Sequence, residues 1–329
     1  MLERIIAQLR ENSSSLKELE VKGELFDDLT FSEIEFNRRT FANQYTTEKD
    51  HPIHNSTDDS LGKTNFKDLT EALGNNTVLE TLKLSKFGIM NLLGSRGEKL
   101  SKALEKNSSI IRLGIQDFSV GYKAMESLLE GLKASSSLKE LSFKNTTFFL
   151  PRDVASLVSS NKLTKLSFVD CNIAYKRDGY EAISKVLDGN VSLKELSITG
   201  GNVVVSDQGV INLAVAIKNN SALERLTIDL PSGIDAKSLE LLAQAVTESD
   251  KFRKLSIGTT NSFDNARLDI LVKYFGKNPF REKLGLSEEL KTLFESRIAE
   301  IEDSKQERPA SPLQAASASA PLAKVNEIE

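Results

Sequence analysis

Residues Ser137–Phe148 read SLKELSFKNTTF, and Ser192–Val203 read SLKELSITGGNV. The shared phrase places Leu138, Leu141 and Phe143, and then Leu193, Leu196 and Ile198, at the first, fourth and sixth positions of a short unit. An apolar alternation of two ending such a unit suits a strand with one buried face. Searching outward, the spelling L-x-x-L-x-L recurs at Leu79, Ile110, Leu138, Leu163, Leu193, Leu223 and Phe252, in steps of 31, 28, 25, 30, 30 and 29 residues. A repeated period of this size marks an array of stacked units.

A stretch of helical periodicity precedes each strand. Its apolar positions are Phe66/Leu69/Leu73, Leu100/Ala103/Leu104, Met125/Leu128/Leu129/Leu132, Val154/Leu157/Val158, Tyr180/Ile183/Leu187, Val210/Leu213/Ala214/Ile217 and Leu239/Leu242/Ala243/Val246. From the last apolar helix residue to the next strand leucine the distance is six residues, or five from Val158 to Leu163. Length variation falls instead in the loop after each strand, where specificity can change without disturbing the stack. Asn76, Asn107, Asn161, Asn190 and Asn220 follow the helix ends, where asparagine is expected in the left-handed conformation that terminates a helix. Ser206, Asp235 and Asp264 precede helices and are expected to cap them.

These residues resemble a leucine-rich repeat of the ribonuclease-inhibitor-like type, most fully in Leu163-Thr-Lys-Leu166-Ser-Phe168-Val-Asp-Cys171-Asn-Ile173. The ninth position departs from the family's Asn or Cys at Phe87, Phe118, Thr146, Gly201 and Pro231, so its side-chain ladder is expected to be incomplete there. The resemblance implies an α/β fold: a curved leucine-rich-repeat solenoid with parallel strands on the concave face and helices on the convex face. One unit cannot bury both of its faces, so neighbours must stack and the ends must be capped.

The expected organisation follows. Residues 1–36 form an N-terminal cap helix, with Leu2, Ile5, Ile6 and Leu9 on one face, and a degenerate first repeat or repeats, with Leu16, Leu19 and Val21 in register. FSEIEF (Phe31, Ile34, Phe36) fits the strand template within that region. Residues 37–63 are a polar insertion, 64–278 the repeats, and 279–307 a capping helix with Leu286, Leu290, Leu293, Phe294, Ile298 and Ile301 along one side. Residues 308–329, rich in Pro, Ala and Ser, are expected to be a disordered tail or to carry a secretion signal.

The chain has 329 residues, 39% hydrophobic and 27% charged, with a formal net charge of −4, which argues against nucleic acid or an anionic membrane as its main partner. No run approaches the roughly 18 apolar residues of a membrane span. The only cysteine, Cys171, cannot close an intrachain disulfide, so the expected location is the cytoplasm, or a host cell reached without a cleaved signal peptide. Cys171 reads as a packed thiol. No histidine follows His54, so a nucleophilic cysteine would lack a histidine base. His51 and His54 lie in the polar insertion with no cysteine nearby to complete a metal site. No phosphate-binding loop or nucleophile elbow is present, and Gly200 and Gly201 read as turn residues. No catalytic residue, cofactor or metal is expected, and the chain reads as a monomer and not an enzyme.

In the strand register, the third positions Thr81, Arg112, Glu140, Lys165, Glu195, Arg225 and Lys254 and the fifth positions Lys83, Gly114, Ser142, Ser167, Ser197, Thr227 and Ser256 face outward. From Glu140 onward opposite charges mostly adjoin, pairs contributing about 0.2–1 kcal/mol each. A solvated charge ladder accounts for this face; so does a docking strip for another protein, with charge selecting the partner. For docking, the candidate residues are Arg112, Glu140, Ser142, Lys144, Lys165, Ser167, Glu195, Ser197, Arg225 and Thr227, with Phe149 and Tyr175 as loop anchors. Phe148, also a core candidate, and Leu230/Pro231 are further anchors. The expected function is a non-catalytic protein-interaction scaffold, with a bacterial effector as one setting; the alternative is a GTPase-activating or other GTPase-regulating protein.

Overall fold

The computed structural model describes residues 2–22, 60–87, 95–118, 122–148, 163–173, 179–187, 189–201, 205–230, 233–259, 263–277 and 279–306. Within them helices and strands alternate: α1 (Leu2–Arg10), β1 (Glu18–Lys22), α2 (Ser60–Asn75), β2 (Thr81–Ser85), α3 (Ser95–Lys106), β3 (Arg112–Gln116), α4 (Tyr122–Ala134), β4 (Glu140–Lys144) and β5 (Thr147–Phe148). They continue as β6 (Lys165–Val169), β7 (Asn172–Ile173), α5 (Gly179–Leu187), β8 (Glu195–Thr199), α6 (Asp207–Asn219), β9 (Arg225–Leu230), α7 (Ala236–Glu248), β10 (Lys254–Thr259), α8 (Asn265–Phe275), a 3-10 turn (Phe280–Lys283), β11 (Leu284–Leu286) and α9 (Glu288–Gln306).

Nine strands form one sheet in the order β1-β2-β3-β4-β6-β8-β9-β10-β11, and every pairing in it is parallel. A parallel pair needs a crossover, which a helix supplies between successive main-sheet strands except from β4 to β6, where 149–162, with the expected helix positions Val154, Leu157 and Val158, lie outside the described residues. This is an α/β leucine-rich-repeat solenoid. The first, fourth and sixth positions of the units, such as Leu193, Leu196 and Ile198, are buried against the helices, whose own periodic residues (Tyr180, Ile183, Leu187) meet them.

β1 pairs directly with β2, Glu18↔Thr81 through Lys22↔Ser85. FSEIEF at 31–36, like most of the polar insertion with His51 and His54, lies outside the described residues, while α2 begins at Ser60. A correction falls at the other end. Leu286 belongs to β11, which pairs Leu255↔Leu284, Ser256↔Gly285 and Ile257↔Leu286, and not to the capping helix. This last strand was missed because only L-x-L of the spelling survives. Leu290, Phe294 and Ile298 are buried on α9, which packs against α8.

The asparagines terminate helices by another means than expected. Asn76, Asn107 and Asn190 are not among the residues with positive φ, and Asn220 stands at φ −81 and ψ 127. Their side chains act instead. Asn107 Oδ1 accepts from the backbone N–H of Ser109 and Ile110 (2.9 and 2.8 Å), and its Nδ2 donates to the carbonyls of Leu73 and Asn76 one unit earlier (2.7 and 2.9 Å). Asn220 repeats the arrangement with Ala222, Leu223, Leu187 and Asn190. Asn76 reaches back to the Leu9 carbonyl (2.8 Å), tying α1 to the array. An asparagine has two donors and room for two acceptors, so one buried side chain satisfies four backbone groups of the tight turn. Asn161 lies outside the described residues. The three expected caps are present: Ser206 accepts from Gly209, Asp235 from Lys237 and Ser238, and Asp264 from Arg267.

The left-handed conformation appears on the other side, at the eighth position, just after the strands: Lys86, Asp117, Asn145, Asp170 and Gly200 have φ of 56, 53, 48, 52 and 65. The bend turns the ninth-position side chain inward, where Phe87, Phe118, Thr146 and Cys171 are all buried. Phe87 and Phe118 pack with ring centroids 5.1 Å apart, so an aromatic contact occupies the place of the expected polar ladder. Gly200 and Gly201 both have positive φ, and a Cβ on Gly201 would collide with the Cys171 backbone.

Candidate protein-interaction face

The face of the sheet turned away from the helices is built by strand alternation. Because the fourth and sixth positions point inward, the third, fifth and seventh must point out. The register aligns Thr81, Arg112, Glu140, Lys165, Glu195, Arg225 and Lys254 in one row, and Lys83, Gly114, Ser142, Ser167, Ser197, Thr227, Ser256 and Gly285 in the next. Gln116, Lys144, Val169 and Thr199 form a third row. The structure therefore brings the strand candidates Arg112, Glu140, Ser142, Lys144, Lys165, Ser167, Glu195, Ser197, Arg225 and Thr227 onto one surface, each partly or fully exposed.

Charges on this surface connect along the array. Glu195 is shared by Lys165 (3.3 Å) and Arg225, and Glu224 by Lys194 (3.5 Å) and Arg253 (3.3 Å). At the other end Lys17 bonds Glu80 (2.9 Å), Arg112 approaches the same carboxylate at 3.8 Å, and Lys83 pairs with Glu18 at 2.5 Å. Hydrogen bonds from Lys83 and Lys17 hold the Glu18 and Glu80 carboxyls below the ordinary carboxylate range. Arg112 also donates to Thr81 Oγ1 at 2.9 Å. Glu140 and Lys144 have no ion pair among the described residues, although the Lys144 charge helps to lower the Asp117 carboxyl pKa.

The rim after the strands is polar and tightly wired. Asp117 accepts from Asn145 Nδ2 (2.7 Å) and Gln116 Nε2 (3.0 Å), bonds that depress its carboxyl pKa, the Asn145 bond most. Asp229 accepts from the Gly200 N–H (2.6 Å), and its carboxylate lies where a Cβ on Gly258 would stand. These rim residues were missed by the sequence reading, although acids and amides recurring at the seventh and eighth positions (Gln116, Asp117, Asn145, Asp170, Asp229) were a usable signal.

The loop anchors fare differently. Phe149, Tyr175 and Pro231 lie outside the described residues, and of Phe148 only the backbone, paired in β5 with β7, is described. Leu230 is corrected: β9 runs one residue longer than β8, and the alternation carries Leu230 inward to 1% exposure, so it is core. Cys171 is also buried, its thiol pushed up by desolvation, which leaves it protonated and inert at neutral pH. Among the described residues no group of His, Cys, Asp and Glu could hold a metal ion, and no helix is long and apolar enough to cross a membrane.

No family model matches the chain, and no curated protein matches it in sequence. Among solved structures it is similar to actin-binding site 2 of leiomodin-1, at 17% identity and a TM-score of 0.36 over 58% of this chain and 89% of that one. It is also similar to a tropomodulin C-terminal domain from Caenorhabditis elegans, at 14% identity and a TM-score of 0.24 over 74% of this chain and 90% of that one.

Proposed function

We propose that the protein is a non-catalytic interaction scaffold of the ribonuclease-inhibitor-like leucine-rich-repeat type, which binds another protein across the open face of its sheet and the adjoining loops. One observation carries this reading: a continuous parallel sheet presents rows of exposed charged and small side chains in register, while its leucines are spent inside. A rigid, wide, hydrogen-bonded surface is suited to a macromolecule, and its small fifth-position residues let a partner backbone approach closely. The partner-binding residues would be those of the strand rows from Arg112 to Thr227, with Phe149 and Tyr175 on the loop side.

The test is recovery of bound protein from cell extract by the full chain, compared with Ser167→Trp and with charge reversals at Glu140, Glu195 and Arg225. The expected result is that the same captured protein is lost with Ser167→Trp and with at least one reversal, while the variants keep the parent's circular dichroism. Recovery unchanged by all four would remove the open face as the binding surface. A GTP-hydrolysis assay with a panel of small GTPases separates the regulator alternative, since stimulation there would replace the scaffold reading. A translocation assay with residues 309–329 deleted tests the effector setting.

A further inference from the structure

Along the third-position row each charged residue neighbours a neutral or opposite charge, from Glu18 beside Thr81 as far as Glu195 beside Arg225. The pattern breaks once: Arg225 pairs in register with Lys254. Like charges directly opposite on neighbouring strands repel. The relief nearby is partial: two carboxylates at this end serve four cations, Glu195 pairing with Arg225 and Lys165 and Glu224 with Arg253 and Lys194. Lys254 has no ion pair among the described residues. Asp229 lies at the far end of β9 and is engaged by the Gly200 N–H. Arg253 is 72% exposed, and Lys283, beside the start of β11, donates to the Ser249 carbonyl at 3.3 Å. Asp250 and Glu282, the acids of the turns before β10 and β11, make no ion pair among the described residues.

The floor beside these cations is Thr227, Ser256 and Gly285, in register on β9, β10 and β11. Gly285 has no side chain, and the Lys254 stem extends across the space where one would be. The result is a short cationic step at one end of an otherwise charge-balanced face. We propose that this step, formed by Arg225, Arg253 and Lys254 over the Thr227–Ser256–Gly285 floor, docks an acidic segment of a partner protein. The proposal rests on the open face being the partner surface and adds the chemistry of the segment that meets its C-terminal end. A few carboxylates match the extent of the step. A long phosphate backbone would meet further repulsion from a chain of net charge −4.

The probe is acetyl-hexaglutamate amide added to the isotope-labelled full chain, with amide shifts followed by NMR; hexaglutamine and an oligothymidylate serve as controls. Shifts are expected at Thr227, Ser256 and Gly285 with hexaglutamate, weakening about tenfold in Lys254→Glu and falling as salt rises from about 50 to about 300 mM. Equal response to hexaglutamine, a Kd unchanged in Lys254→Glu, or preferential binding of oligothymidylate would each overturn the proposal. Partner recovery still lost in Ser167→Trp would then show that the open-face reading survives without it. Loss of that dependence with the hexaglutamate response intact would have the opposite meaning.

Discussion

Asn107 donates a hydrogen bond from its side-chain amide to the Leu73 carbonyl at 2.7 Å, across two successive units and 34 residues of sequence. The contact is the structural counterpart of the constant six-residue turn, because the same side chain closes its own turn and holds the preceding one.

Asn107→Ala would leave the Leu73 and Asn76 carbonyls and the Ser109 and Ile110 amides short of a partner in a site 1% exposed. The Leu73 carbonyl keeps the Asn76 N–H (3.3 Å) and the Asn76 carbonyl keeps Ser109 Oγ, so with about 1–3 kcal/mol for each of the two amides left unpaired a loss of about 3 kcal/mol is expected. Asn107→Asp should be worse, since a carboxylate would face two carbonyls. Urea unfolding of the three proteins measures both, and a loss below about 1 kcal/mol for alanine would show that the ladder is not structural.

Lys254→Glu should raise thermal stability slightly, because it replaces the repulsion with Arg225 by an attraction and restores the alternation of the row. The gain expected is under about 1 kcal/mol at this exposed position, seen as a small rise in Tm that disappears at high salt. A fall in Tm would mean that Lys254 makes a stabilising contact.

Acid should destabilise the fold in a defined window. Glu18, Glu80 and Asp117 have folded pKa values below their ordinary ones, chiefly through hydrogen bonds from Lys83, Lys17 and Asn145. Groups depressed in this way contribute stability above their unfolded values and lose it as pH falls through the folded ones. Tm should therefore be nearly flat from pH ~7 to ~5 and decline below about 4.5. A decline that begins near pH 6 would point to histidine, and not to these carboxylates.

Cys171 should be unreactive in the native protein. Its side chain is buried, and burial raises its pKa, so both access and thiolate are lacking. A thiol reagent at pH 8 is expected to find no group before unfolding and one after it; fast native labelling would contradict the packing of this unit.

The periodic leucines were enough to determine the helix–strand alternation and the outward rows from Thr81 to Lys254, since a period of two or of about 3.6 is a local property of the sequence, whereas the parallel sheet was implied only by the resemblance to leucine-rich repeats. Cap residues Ser206, Asp235 and Asp264 were legible for the same reason, each acting on amides two or three positions away. Contacts between units were not. The asparagines bond carbonyls about 30 residues earlier, and which backbone groups wait there depends on how the turns stack. The inward turn of Leu230, the direct pairing of β1 with β2 and the added strand β11 likewise rest on register with a neighbour, which no single unit encodes. The charge break at Arg225 and Lys254 lay between both cases: its letters stood in the sequence, but that Lys254 has no ion pair among the described residues was a matter of three-dimensional reach.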